Sequence, residues 1–324
     1  MLKIKSYKQL AKLKKEWINL YNSNPCLSPF VEYDYFSRTI KYFWYYFITK
    51  RCVIKYYLIT EDNLPILIAP ILIYSNGQKE LFGNINGYNY CDLVYKNCSK
   101  TKDAINLLYE TIGKFDIYKI RESSPLISFI TSPPYLISET LNVKIVFGND
   151  YDNYYHNLSR SVRQNLRTSY NRLTKSGYRY ELKVVKGGTK DKNFFNEIIK
   201  LYSKRHEKRY NVKHNFIKQY LLKHCHFATE NYKKSTNAIS FGLYIDGKLA
   251  AFMSGLKSKQ KEFIVPRLSI CDDFSFFSPG MILINEVIKF FIESNQIHCL
   301  DLSQGNEKYK YQMGGINHLT FSFK

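Results

Sequence analysis

The stretch that most limits what this chain can fold into is its last quarter, SICDDFSFFSPGMILINEVIKFFIESNQIHCLDLSQGNEKYKYQMGG, residues 269–315. Ser278-Pro279-Gly280 opens a strongly apolar helix. A buried strand then carries one acid, Asp301, and a polar turn ends in Glu307, Tyr309 and Lys310. A strand, a helix start suited to an anion, a second strand and a reactive turn in such short compass are the layout of a site built on an α/β sheet. That layout points to an enzyme rather than a structural protein.

With 324 residues the chain is long enough for two cores. Its longest apolar runs, FWYYFI at 43–48 and ILIAPILIY at 66–74, fall short of the roughly 18 residues of a membrane-spanning helix. The basic start, MLKIKSYKQLAKLKKEW, has no continuous apolar core and no small-residue cleavage site, so a cytoplasmic protein is expected. Seven cysteines form no CxxC pair, which suits reduced thiols. The net charge of +21 has two readings: a surface that attracts nucleic acid, anionic membrane or nucleotide-linked substrates, or a solvated surface set by Lys- and Asn-rich composition.

Apolar spacing predicts a helix over 7–21, with Leu10, Leu13 and Trp17 on one face. Strands are expected at 53–59 and 65–74, a helix at 102–113, then the strands FDIYKI and ISFI (127–130). The second half is expected to begin with one helix from Tyr151 to Lys175, ended by Ser176-Gly177. A strand YELKVV, helices at 191–208 and 213–224, and a hairpin turning at Asp246-Gly247 come next. The hairpin at Asp62-Asn63 resembles the one at Asp246-Gly247, and each leads into a polar loop, a helix and a short strand. The two make a weak internal repeat of α/β units.

Four groups of residues could carry chemistry. Ser278 is a good N-cap, Pro279 suits the first helical position, and Gly280 lets a ligand approach the backbone; the free amides there favour phosphate. An ordinary structural helix can begin the same way. Asp301, at the end of a buried strand, must be either paired, with Lys310 as the obvious partner, or functional. Glu307 can act as a base and Tyr309 as an acid, and Lys310 can bind a substrate anion. The helix LSRSVRQNLRTSYNRLTKSG sets Leu158, Val162, Leu166, Tyr170 and Leu173 on one face and Arg160, Arg163 and Arg167 on the other, an anion-binding stripe or a solvated face. His206-Glu207 lacks the second histidine of a zinc helix, and His224-Cys225-His226 would be splayed apart on a helix, so no metal is expected. No Walker loop, GxGxxG or GxSxG is present.

These segments resemble the CelD-like branch of the GNAT acyltransferases. LSRSVRQNLRTSYNRLTKSGYRYEL is similar to that branch's LS-x-x-x-R-x-N-L-R segment. GLYIDGKLAAFMSGL, FFSPGMILINEVI and LDLSQGNEKYKYQMGG are similar to its hairpin, its S-P-G helix and its closing D-x-x-x-G-x-E-x-Y-K motif. GYNYCDLVY and Trp17 extend the likeness into the first half. The resemblance implies an α/β (α+β) fold of tandem GNAT-like domains, each a mixed twisted sheet flanked by helices: a degenerate domain over 1–150 and an acyltransferase domain over 151–324. It implies acetyl-CoA or another acyl-CoA as donor, with the phosphates at Ser278, Gly280, Met281 and Ile282. It places an acceptor amine near Asp301, Glu307 and Tyr309, with Arg163, Arg167 and Lys310 as substrate contacts. By analogy the acceptor is an amino sugar of cell-surface polysaccharide synthesis, on a nucleotide or lipid carrier; peripheral contact with anionic membrane would suit the basic charge. The usual Q/R-x-x-G-x-G/A phosphate signature is absent, Gln304 stands where the branch often has Arg, and the acid usual before S-P-G falls at Cys271 or Asp272. Fem-type aminoacyl-tRNA transferases share the tandem fold and offer a second reading, with tRNA as partner and a peptidoglycan precursor as acceptor. A basic nucleic-acid-binding module without catalysis is the third.

Overall fold

The computed structural model describes residues 1–85, 88–130, 136–210 and 230–324. The helix expected at 213–224 lies outside them. The chain forms two compact units, Met1–Leu141 with His318–Lys324, and Asn142–Asn317. The architecture is mixed α/β, two sheets flanked by helices.

In the first unit, β1 (Leu2–Tyr7), β2 (Cys52–Glu61), β3 (Leu64–Tyr74) and β4 (Lys79–Leu81) pair in that order, and β5 (Val94–Tyr95) joins β3. The β2–β3 hairpin closes through Asp62 and Asn63, both at positive φ. That is the geometry a two-residue turn adopts to match strand twist. Around the sheet lie α1 (Lys14–Ser23), α2 (Tyr33–Thr49), α3 (Lys100–Ile112), β6 (Ile117–Arg121) and α4 (Leu126–Phe129). Trp17 is fully buried against Phe36, ring centroids 4.5 Å apart, and its indole N–H donates to the Val31 carbonyl at 2.8 Å. Residues 127–130, expected as a strand, lie mostly in α4. Ser124 Oγ accepts from the Leu126 amide at 3.2 Å, a local side-chain bond that starts a helical turn and that an apolar count cannot see.

The second unit contains β7 (Leu136–Val146, from Asn142 onward), α5 (Tyr151–Asn157), α6 (Arg160–Lys175), β8 (Tyr180–Lys186) and α7 (Lys192–Tyr210). There follow β9 (Ala238–Ile245), β10 (Lys248–Lys257), β11 (Glu262–Ile270), α8 (Pro279–Ser294), β12 (Cys299–Gln304), α9 (Lys308–Gln312) and the start of β13 (Gly315–Phe323), which from His318 onward belongs to the first unit. Its sheet runs β7-β12-β11-β10-β9-β8, antiparallel except for the parallel pair β11–β12. The single helix expected over 151–175 is two. Leu158 and Ser159 are extended, and Ser159 Oγ accepts from the Val162 amide at 3.4 Å, so Ser159 caps a new helix inside what apolar spacing reads as one.

The strands place the helices on opposite faces by alternation. On β10, Ala251 and Met253 join the main core with α5, α6 and α8, whereas Phe252 joins Phe194, Phe195, Ile198 and Leu201 of α7 on the other face. The β10–β11 ladder is broken at one point. Leu256 pairs with Ile264 and Ser254 with Arg267, so Val265 and Pro266 together oppose Gly255. This is a bulge on β11, where Pro266 has no N–H to give a ladder. A Cβ on Gly255 would stand 2.2 Å from the Ile264 carbonyl oxygen. Gly255→Ala is therefore expected to cost about 1–3 kcal/mol, read as a lower urea midpoint. An unchanged midpoint would show that the bulge relaxes freely.

Candidate active site

The strands β11 and β12 run together for only three residue pairs, Glu262–Cys299, Phe263–Leu300 and Ile264–Asp301. Both strands continue beyond this point without pairing to each other, β11 to Ile270 and β12 to Gln304. Each wall of the resulting cleft carries a bulge. On β11 it is Val265–Pro266. On β12, Asp301 pairs with Lys144 and Gln304 with Asn142, so Leu302 and Ser303 share one place opposite Val143. Ser303 has φ +59°, a conformation a non-glycine residue keeps only when its surroundings hold it.

Three bonds hold it. Asp301, 1% exposed, accepts the Ser303 amide on Oδ1 at 2.8 Å; Ser303 Oγ donates to the Val265 carbonyl at 3.2 Å; and Lys310 Nζ donates to the Ser303 carbonyl at 3.2 Å. Lys310 is 2% exposed and also donates to the carbonyls of Gln304 (2.9 Å) and Gly305 (3.2 Å). It pairs with Glu307 Oε2 at 3.0 Å. An ammonium has three N–H groups, and four acceptors already surround this one. Lys310 is therefore a clasp on the turn after β12, and no donor remains to take a substrate anion as the sequence suggested.

Glu307 and Tyr309 sit on this turn in contrasting states. The Glu307 side chain is 56% exposed. Partial burial pushes its carboxyl up, but its own backbone amide, the Lys310 ammonium and the Arg205 guanidinium outweigh that and hold it below the ordinary 4.5. Tyr309 packs against the core; burial, with the Glu307 charge adding and Arg205 opposing, pushes its phenol up to about 12. The turn thus presents an ionised carboxylate and a protonated phenol two residues apart in sequence. Burial lowers the Lys310 ammonium, against the opposing pull of Glu307 and Asp301.

At the far end of β11 stands the start of α8; a Cβ on Gly280 would lie 3.2 Å from Ile270 Cγ2. Ser278 adopts the left-handed conformation, φ +52°, and its side chain caps nothing, contrary to the N-cap role expected for it. Its amide donates to the Ser275 carbonyl, and the amides of Met281 and Ile282 both turn back to the Ser278 carbonyl, at 3.1 and 3.3 Å. Pro279 has no amide hydrogen. Of the positions nominated for phosphate, only Gly280 keeps an amide without an acceptor among the described residues.

The arginines divide in the same way. Arg163 Nη1 donates to the His156 carbonyl at 3.0 Å, which ties α6 to the end of α5, while Arg167 is exposed. The sequence reading missed Arg172 and Arg205. Arg172 Nη1 donates to the Phe276 carbonyl at 2.8 Å and its guanidinium lies 4.5 Å over the Phe276 ring, so it fixes the loop that leads into α8. Arg205 lies on α7, and its charge reaches Glu307 and Tyr309 from that helix. Among the described residues no His/Cys/Asp/Glu group is arranged to hold a metal, and no helix is long and apolar enough to cross a membrane.

In sequence, residues 160–311 match the family described as acetyltransferase (GNAT) domain. These residues resemble a GNAT-type N-acyltransferase domain. The match takes in both walls of the cleft, the start of α8 and the whole 301–310 turn. No curated protein matches the chain in sequence. Among solved structures, FemX is similar in fold at 8% identity and a TM-score of 0.62, over 98% of this chain and 96% of FemX. A conserved protein of unknown function from Bacteroides thetaiotaomicron gives 12% identity and a TM-score of 0.59, over 100% of this chain and 99% of that one. L-PGS from Bacillus licheniformis gives 11% and 0.51, over 79% of this chain and 83% of that one. At these identities the likeness is one of fold, and it runs through both units. The CelD-like branch within the superfamily rests on the motifs alone.

Removing the clasp tests this geometry. Lys310→Met leaves buried carbonyls unsatisfied and is expected to cost about 1–3 kcal/mol in urea unfolding. Glu307→Gln, at a half-exposed pair, is expected to cost about 0–1 kcal/mol. Because the folded Glu307 carboxyl lies below its ordinary 4.5, its contribution is present above that pH and is lost as pH falls through the folded value. Glu307→Gln is therefore expected to flatten the acid side of the stability–pH curve; an unchanged acid side would remove the pair from the account.

Proposed function

We propose that the protein transfers an acyl group, in the first instance acetyl, from an acyl-CoA thioester to the amine of a small or carrier-linked acceptor. The observation that carries this reading is the parting of β11 from β12, which opens a slot between an anion-compatible helix start and a turn holding one carboxylate and one phenol. A thioester laid in the slot has its phosphates toward α8, where Gly280 offers an amide, and its carbonyl toward the turn. The neutral amine nitrogen attacks the thioester carbon, the C–N bond forms and the C–S bond breaks. Glu307 takes the proton released from nitrogen, and Tyr309 gives its proton to the leaving thiolate. Asp301 holds Ser303 in place and so acts as a positioning residue. The acceptor class, an amino sugar of cell-surface polysaccharide, and the division at residue 150 into a degenerate first domain and an acyltransferase second domain come from motif resemblance alone.

One observation favours a second reading. A single spare amide at α8 is a thin grip for a pyrophosphate, and the fold likeness to FemX suits a Fem-type donor, an aminoacyl-tRNA. Calorimetry separates the two: heat with acetyl-CoA supports the first, and heat with tRNA but none with any acyl-CoA replaces it with the second.

Tyr309→Phe is expected to lower kcat about a hundredfold in an acetyl-CoA thiol-release assay, without lowering the melting temperature. Since the phenol stays protonated until pH approaches 12, wild-type kcat should show no alkaline decline within the range the fold tolerates. Wild-type turnover in both Tyr309→Phe and Glu307→Gln would remove these residues from the chemistry.

A further inference from the structure

The Lys310 ammonium is fully committed to its own turn, which leaves open what recognises an acceptor beside Glu307 and Tyr309. Helix α7 answers from the β11 side of the cleft. It packs on β10 and β11, and its rotation is set by Leu201 in the core and by Tyr202, whose ring lies 6.2 Å from Phe252 and carries the Arg267 guanidinium 5.6 Å above it. Arg205 comes one helical turn later and shares that flank of the helix. Its side chain is exposed, and among the described residues it has neither an ion pair nor a hydrogen-bond partner. The neighbouring Lys204 is held 3.8 Å from Asp273. The Arg205 charge nevertheless acts on both Glu307 and Tyr309. It is an exposed guanidinium one helical turn past the Tyr202–Arg267 contact on the β11 wall, and its charge reaches the Glu307 carboxylate and the Tyr309 phenol.

We infer that Arg205 is the acceptor-positioning residue, and that the acceptor is an amine bearing a carboxylate or phosphate a few bonds from its nitrogen. This rests on the acyl-transfer reading above. An arginine with no internal partner offers a planar fork of N–H groups that carboxylate and phosphate accept in pairs. With the anion on Arg205, the amine nitrogen falls between that anchor and the Glu307 carboxylate. A neutral amine loses the anchor, and an acceptor whose anion lies far from its nitrogen cannot meet both groups.

The test uses two matched amine pairs, glucosamine 6-phosphate with glucosamine and glycine with glycinamide, titrated calorimetrically into the full chain with CoA present. Binding needs no turnover, so the result stands apart from whether acyl transfer occurs. In the wild type at least one anionic member should bind about tenfold or more tightly than its neutral partner. Arg205→Ala should bring that ratio near one, and Arg205→Lys should keep part of it. A phosphate preference alone assigns the anion as phosphate, and a carboxylate preference alone assigns it as carboxylate. A wild-type ratio near one for both pairs, or a ratio unchanged in Arg205→Ala, overturns the inference. A thiol-release assay with the same amines reports separately on acyl transfer: anion preference lost in Arg205→Ala but no thiol released keeps the anchor and removes the reaction.

Discussion

The second unit depends on one interruption: two parallel strands that pair at three positions and then part. Pairing a strand for its full length is the ordinary outcome, because every unpaired backbone group in a sheet interior carries a cost. Here local chemistry opposes it on both sides. On β11, Pro266 lacks an amide hydrogen and sits in a bulge opposite Gly255. On β12, Ser303 takes a left-handed backbone, held by Asp301, the Val265 carbonyl and Lys310. The carbonyls released by the parting are gathered by Lys310, so the cleft is stabilised by the turn that forms its wall.

This arrangement gives the charged residues separate duties. A buried lysine with four acceptors is a structural group, although its sequence position beside Glu307 and Tyr309 suggests a reactive one. Its positive charge helps keep Glu307 ionised, while burial keeps Tyr309 protonated, so a carboxylate and a phenol on one turn differ in state without a histidine. Arg172 holds the loop before α8 and Arg163 joins two helices, whereas Arg205 has no ion pair or hydrogen-bond partner among the described residues.

What the sequence revealed tracks the range of the forces involved. Both hairpins were legible at Asp62-Asn63 and Asp246-Gly247, because a two-residue turn is decided by the residues in it. The helix after Pro279 and the strand holding Asp301 were legible from apolar runs. The break at Leu158-Ser159 was harder, since the apolar spacing on α5 and α6 continues across it and only the Ser159 cap marks it. Residues 127–130 were misread because an apolar tetrad has no period long enough to tell a strand from a helical turn. At the site, the sequence identified the turn residues but not their bonds. That Lys310 would turn inward, that Met281 and Ile282 would give their amides to Ser278, and that Arg205 would arrive from α7 are all decided by tertiary packing.

On the acyl-transfer reading, the donor is expected to lie in the opening between β11 and β12. Hydrogen exchange of the full chain, with and without saturating acetyl-CoA, tests it most directly. Slowed exchange is expected in peptides covering 265–270, 278–283 and 302–306, with the β2–β3 hairpin of the first unit unchanged. Slowing confined to other segments, or none at any acetyl-CoA concentration, would contradict it.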